Sequence, residues 1–150
     1  MSRARPIPRP NTRTRVRAAT SPVHVLACDI MTEDPMVIDV AATIAEAIEV
    51  LHSLEIRHLP VMRAQTVVGM LSERDMHALY EEARESNTVS RIMNSNVISV
   101  APDATLTEIA DTLLENRIGA VPVIDPHDET LLGIVSYVDI LRELVRSAKS

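Results

Sequence analysis

The 150-residue sequence predicts an α/β (α+β) fold of two β-α-β-β-α repeats packed with pseudo-twofold symmetry. Three observations predict it. The stretch "DIMTEDPMVIDVAATIAEAIEVLHSLEIRHLPVM" at 29–62 matches "RIMNSNVISVAPDATLTEIADTLLENRIGAVPVI" at 91–124, with an offset of 62. Self-similarity at a fixed period is the signature of units that stack on one another. Each copy also carries one helical run of apolar residues followed by two short apolar runs, the alternation of periods expected of mixed structure. Finally, a unit of about 50 residues is too small to bury both faces of its elements alone. The two copies must therefore pack together, into one body from about residue 28 to 146.

Residues 1–22 hold Arg3, Arg5, Arg9, Arg13, Arg15 and Arg17 among four prolines, with no acid and no apolar period. That composition reads as a disordered, solvated arm. The first repeat is assigned to 23–80, a polar linker around "EEARESNTVS" to 81–90, and the second repeat to 91–146. Each repeat opens with a short strand near Met31 or Met93. Thr43-x-x-Glu46 and Thr105-x-x-Glu108 then start a helix, because Thr at the N-cap and Glu three residues on satisfy two orphan backbone donors reciprocally. Ile44, Ala47, Ile48 and Leu51 continue the first helix, and Leu106, Ile109, Ala110, Leu113 and Leu114 the second. Two strands follow in each copy, at 58–62 and 67–71 and at 120–124 and 131–135, joined by hairpin turns. A last helix begins near Ser72 or Ser136.

Both last helices begin in the same phrase, GMLSERD at 69–75 and GIVSYVD at 133–139. Ser at the N-cap with an acid at N3 is sound helix-start chemistry, and a negative charge there suits the helix dipole. A strand-to-helix turn also presents free amides, and a carboxylate beside it suits a ribose cis-diol. The first helices use Glu at N3, whereas these use Asp, whose shorter arm is expected to reach back less well and to point outward. Residue chemistry alone leaves both readings, cap and ligand site, open.

Composition narrows the function classes. With Tyr80 and Tyr137 the only aromatics, stacking platforms for single-stranded nucleic acid are missing. Residues 28–150 carry a net charge of −12 against +6 for 1–27, and an acidic body disfavours nucleic acid as a partner. The single Cys28 excludes an internal disulfide and a Cys-rich zinc site. No apolar run approaches the roughly 18 residues of a membrane span, so no membrane partner is expected and the expected location is cytoplasmic. Ser72, Asp75 and His77 carry the letters of a hydrolase triad, but Asp75 and His77 lie two apart on a helix and do not face each other. The five histidines lack metal-ligand spacing. Neither a catalytic nor a metal site is assigned.

The phrases "IRHLPVM", "VVGMLSERD", "AVPVID" and "LLGIVSYVD", in order and at matching spacing over roughly residues 27–146, resemble a tandem pair of cystathionine-β-synthase-type (CBS) domains, a Bateman module. The resemblance implies two clefts related by pseudo-twofold symmetry that take adenosine-containing ligands, AMP, ADP, ATP or S-adenosylmethionine, as regulators. It implies no catalysis and no required cofactor. It also implies site residues. The Asp of Ser-x-x-Asp would hold ribose hydroxyls, basic residues before the Pro-containing strand would meet phosphate, and the other repeat would face the base. In the first cleft that gives Ser72 and Asp75 with Arg57, His58 and Arg74, faced by Asn94, Ser99 and Ile118. In the second it gives Ser136 and Asp139, faced by Thr32, Val37 and Ile56.

The clefts are expected to be unequal. Gly119-Ala120 stands where the first repeat has Arg57-His58, and Tyr137-Val138 where it has Glu73-Arg74. Phosphate recognition rests on charge-assisted donors worth on the order of 1.5–3 kcal/mol each. The first cleft is therefore the expected nucleotide site, and the second is left with vacancy or an uncharged adenosine moiety. Adjacent strand residues point to opposite faces, so at most one of Arg57 and His58 need face the cleft, the other being plain surface. The expected function is a stand-alone sensor that binds an adenosine-type small molecule and signals as a homodimer to a separate effector protein. The competing reading is a ligand-free dimerising scaffold in which Ser-x-x-Asp only caps.

Overall fold

The computed structural model describes residues 25–77 and 81–149; the arginine-rich arm expected at 1–22 lies outside them. Two three-stranded sheets form the body. In chain order the elements are α1 (Ala27–Ile30), β1 (Thr32–Glu33), β2 (Ile38–Asp39), α2 (Ile44–Leu54), β3 (His58–Arg63) and β4 (Thr66–Ser72). They continue with α3 (Glu73–Met76), α4 (Glu81–Arg84), a 3-10 turn (Val89–Arg91), α5 (Leu106–Asn116), β5 (Ala120–Ile124), β6 (Leu131–Ser136) and α6 (Tyr137–Lys149).

Both expected capping boxes form. Thr43 Oγ1 accepts from Glu46 N at 3.1 Å while Glu46 Oε2 accepts from Thr43 N at 2.9 Å, and Thr105 and Glu108 repeat the exchange at 3.2 and 2.8 Å. Both helices also end alike, with Glu55 and Arg117 in the left-handed region at φ 53° and 54°. Glycine would adopt that conformation at lower cost.

The strand pairing departs from a simple two-unit picture. β3 and β4 form one antiparallel hairpin and β5 and β6 the other, as the apolar runs predict. β1 does not join its own hairpin. It pairs antiparallel with β6 of the second repeat, Thr32 opposite Ile134. The equivalent segment of the second repeat crosses the other way, with Met70 and Asn94 exchanging backbone bonds of 3.0 and 2.9 Å. Leu26 bridges Thr105, and Thr88 bridges Thr43.

The cores record the same exchange. One holds Ile44, Leu51, Leu59, Val61 and Leu71 together with Val89, with Ile92 and Met93 packed against it. The other holds Ile109, Val121, Val123 and Val135 together with Ala27, with Ile30 and Met31 packed against it. The leading segment of each sequence repeat thus completes the core of the other. The stretch expected as a polar linker, 81–90, is correspondingly not a free tether. It contains α4, and Val89 is fully buried in the first core. The expected first strand near Met31 is preceded by the helical turn α1, in which Cys28 is exposed.

Candidate functional site

The exchange of leading segments brings the first Ser-x-x-Asp motif against residues of the second repeat. Between them lies a cavity of about 720 Å³, within the range of small-molecule and cofactor sites. One wall is the end of β4 and the start of α3, with Ser72, Glu73, Arg74 and Asp75. Arg57 and His58 stand beside it at the start of β3. The facing wall comes from the second repeat: Asn94, Asn96 and Ile98 from the crossing segment, Asn116 to Ala120 between α5 and β5, and Tyr137.

Seven of the eight residues expected at the first cleft line this cavity, the exception being Ser99. Ser99 is exposed, and its neighbour Ile98 takes the position, half-buried against the second core. Side chains alternate along this extended segment, and Val100 turns inward to bridge Val123. Ile98, two residues back, shares that side; Ser99 does not. Arg57 and His58 both line the cavity, although only one of them need have faced it. Arg57 precedes β3, which starts at His58, so strand alternation does not govern the pair.

The Asp residues were expected to reach back poorly, and this too is corrected. Ser72 adopts an extended conformation, φ −115° and ψ 155°, which turns its own N–H toward N3. Asp75 Oδ2 accepts that N–H at 2.9 Å, and Ser72 Oγ accepts from Asp75 N at 3.3 Å. Asp139 Oδ2 accepts from Ser136 N at 2.8 Å and from Ser136 Oγ at 3.1 Å. In both motifs only Oδ2 is committed. Oδ1 accepts no hydrogen bond among the described residues, and on Asp75 it belongs to a side chain lining the cavity. The cap occupies one oxygen and leaves the other.

Residues of the second motif behave differently. Ser136 and Asp139 cap α6, Thr32 lies in β1, Ile56 packs against the first core, and Val37 is exposed. These five line neither the large cavity nor the small one beside α2 and α3. Tyr137 turns from its own motif into the first cavity. Its backbone N–H donates to Gly119 O at 3.0 Å, and Arg57 Nη1 donates to its phenol oxygen at 3.1 Å. Gly119 makes room for the His58 imidazole rather than for the Tyr137 ring. A Cβ there would stand 2.9 Å from His58 Nε2 and 3.6 Å from the Tyr137 ring.

The charge distribution is lopsided. Three arginines, Arg57, Arg74 and Arg117, line the cavity with His58, against the carboxylates of Glu73 and Asp75. Arg117 escaped the motif reading because it lies five residues ahead of Pro122, outside the phrase "AVPVID" that carries the resemblance. Aligning the two helix ends would have found it: at the offset of 62 its counterpart is Glu55, a reversal of charge at the same left-handed cap.

Burial of the His58 imidazole lowers its pKa below the ordinary 6.5, opposed by Asp75, reinforced by Arg57 and opposed again by Glu73. Between its folded value and 6.5 the unfolded chain binds more protons than the folded one, so stability falls as pH drops through that window. His58→Asn should flatten this fall when urea midpoints are compared at pH 7.5 and 5.5. An equal fall in both proteins would remove His58 as its source.

The CBS domain family model matches residues 27–82 and 89–146. Homoserine O-acetyltransferase of Methanohalobium evestigatum is 33% identical over 120 residues, 79% of this chain but 24% of the enzyme. The chain thus spans about a quarter of that relative. The CBS domain-containing protein YhcV of Bacillus subtilis is 29% identical over 115 residues, 75% of this chain and 80% of YhcV. Among solved structures, the CBS domain pair of protein MJ0100 in complex with 5′-methylthioadenosine and S-adenosyl-L-methionine superposes with a TM-score of 0.73. It is 28% identical and the match covers 84% of this chain and 98% of that one. CBSX2 in complex with AMP gives a TM-score of 0.71 at 25% identity, over 83% and 98% of the two chains.

Proposed function

This chain belongs to the CBS domain family, and from that premise we propose that it is a regulatory module binding a phosphorylated adenosine ligand, of the AMP, ADP or ATP type, in the first cleft. One observation carries the reading. Arg57, Arg74, Arg117 and His58 line the same cavity as Asp75, whose Oδ1 is uncommitted. Carboxylate for ribose and guanidinium for phosphate are the two recognition chemistries such a ligand needs. S-adenosyl-L-methionine, which MJ0100 binds, carries a sulfonium cation and suits three arginines poorly. AMP, bound by CBSX2, suits them well. The second cleft has Glu55 and Gly119 at the positions of Arg117 and Arg57, so it opposes a phosphate.

The module acts without catalysis and signals through assembly. α6 leaves Leu141, Leu144 and Val145 exposed, and α5 adds Leu114 at 76% exposure. Residues at i, i+3 and i+4 share one helix face, and a contiguous apolar patch marks an interaction surface. It supports a homodimer through these helices, with the effector a separate protein.

Calorimetric titration with AMP, ADP, ATP, adenosine, 5′-methylthioadenosine and S-adenosylmethionine tests the reading. The phosphorylated compounds should bind, and Arg117→Ala should weaken them by about tenfold, the worth of one charge-assisted contact, while affecting adenosine less. If no adenosine compound binds, the scaffold reading replaces this one.

A further inference from the structure

Arg57 makes its hydrogen bond outside its own repeat. Its guanidinium donates to the phenol oxygen of a residue 80 positions away, at 3.1 Å. That residue, Tyr137, is the first of α6. At helical spacing it heads the same stripe as Leu141, Leu144 and Val145, and like them it is exposed. One end of the Tyr137 ring is thus in the cavity and its helix presents the apolar face. Tyr137 is neutral and its bond to Arg57 is a single one, whereas a phosphate offers a charged, bidentate partner to the same guanidinium.

We infer that Tyr137 competes with the ligand's phosphate for Arg57, so that phosphorylated ligands, unlike unphosphorylated adenosine compounds, free the Tyr137 ring at the head of α6. This rests on the nucleotide reading of the first cleft. It makes Arg57 more than a binding residue. A ligand biases a two-state element only through a differential interaction with its two states, and the exchange of Tyr137 for phosphate is such a difference. Adenosine can fill the same cavity and leave Arg57 where it is. The signal then reports the phosphate rather than mere occupancy.

Calorimetry on the full chain with AMP and adenosine separates the possibilities. Removing the competing phenol in Tyr137→Phe should raise the ratio of AMP to adenosine affinity by about threefold or more, within the net worth of one hydrogen bond. In an Arg57→Gln background the same substitution should leave that ratio unchanged. The chain has no Trp and only Tyr80 besides Tyr137, so tyrosine emission in a Tyr80→Phe background should respond to AMP and not to adenosine. If both ligands bind but the ratio stays flat, or both shift the emission alike, the competition is refuted while the cleft assignment survives. If neither binds, the cleft assignment fails and the competition with it.

Discussion

Replacing Asp75 by Ala should weaken AMP binding about a hundredfold or more while the fold survives. The carboxylate would lose its charge-assisted bonds to the ribose hydroxyls, each worth roughly 1.5–3 kcal/mol, and two of them exceed the 2.7 kcal/mol that a hundredfold represents. The substitution also removes the 2.9 Å bond that closes the capping box of α3, so stability should fall by about 0.5–2 kcal/mol as for other lost caps. Asp139→Ala supplies the control. It deletes the equivalent 2.8 Å cap bond at α6 but lies outside the arginine-lined cavity. Urea denaturation should therefore show a similar loss in both variants, and titration should show the large loss of AMP only in the first. Equal losses of affinity would mean that Asp75 acts through helix integrity alone.

The second large effect is steric. Gly133→Ala should cost about 1–3 kcal/mol, the usual price of overpacking, and clearly more than Gly69→Ala. Neither glycine has a positive φ; each is there because another segment crosses close to it. A Cβ on Gly69 would meet Met93 Sδ at 2.5 Å and Asn94 O at 3.2 Å, and the thioether can swing aside. On Gly133 it would meet Met31 Sδ at 2.6 Å and the backbone oxygen of Thr32 at 2.7 Å. That oxygen belongs to β1, whose pairing with β6 opposes Glu33 to Gly133 itself. It can move only by opening the exchange between repeats. Thermal or urea unfolding of the two variants checks the order, and equal destabilisation would show that the methionines, not the strand, set the cost.

The hairpins and the long helices were legible because their signals are local. Thr-x-x-Glu needs only its own turn to cap a helix, and each hairpin needs only two apolar runs and a turn. Ser99 and Ile98 mark where locality ends. Their side depends on how Val100 bridges Val123, a contact 23 residues away. The Asp of Ser-x-x-Asp shows the same limit at shorter range. Side-chain length alone argued that it would point outward, but the extended Ser72 backbone brings its N–H to the carboxylate.

By itself, then, the sequence determined the repeat, its elements, the family resemblance and the chemistry of the Ser-x-x-Asp phrase, since each is written in residues close along the chain. Only the tertiary structure decided that the leading segments change places, that Arg117 joins Arg57 and Arg74 at one cavity, and that Tyr137 leaves its own motif to meet Arg57. The physical reason is that neither half closes its core alone. Each completes the other's, and the cavity forms where the two halves meet.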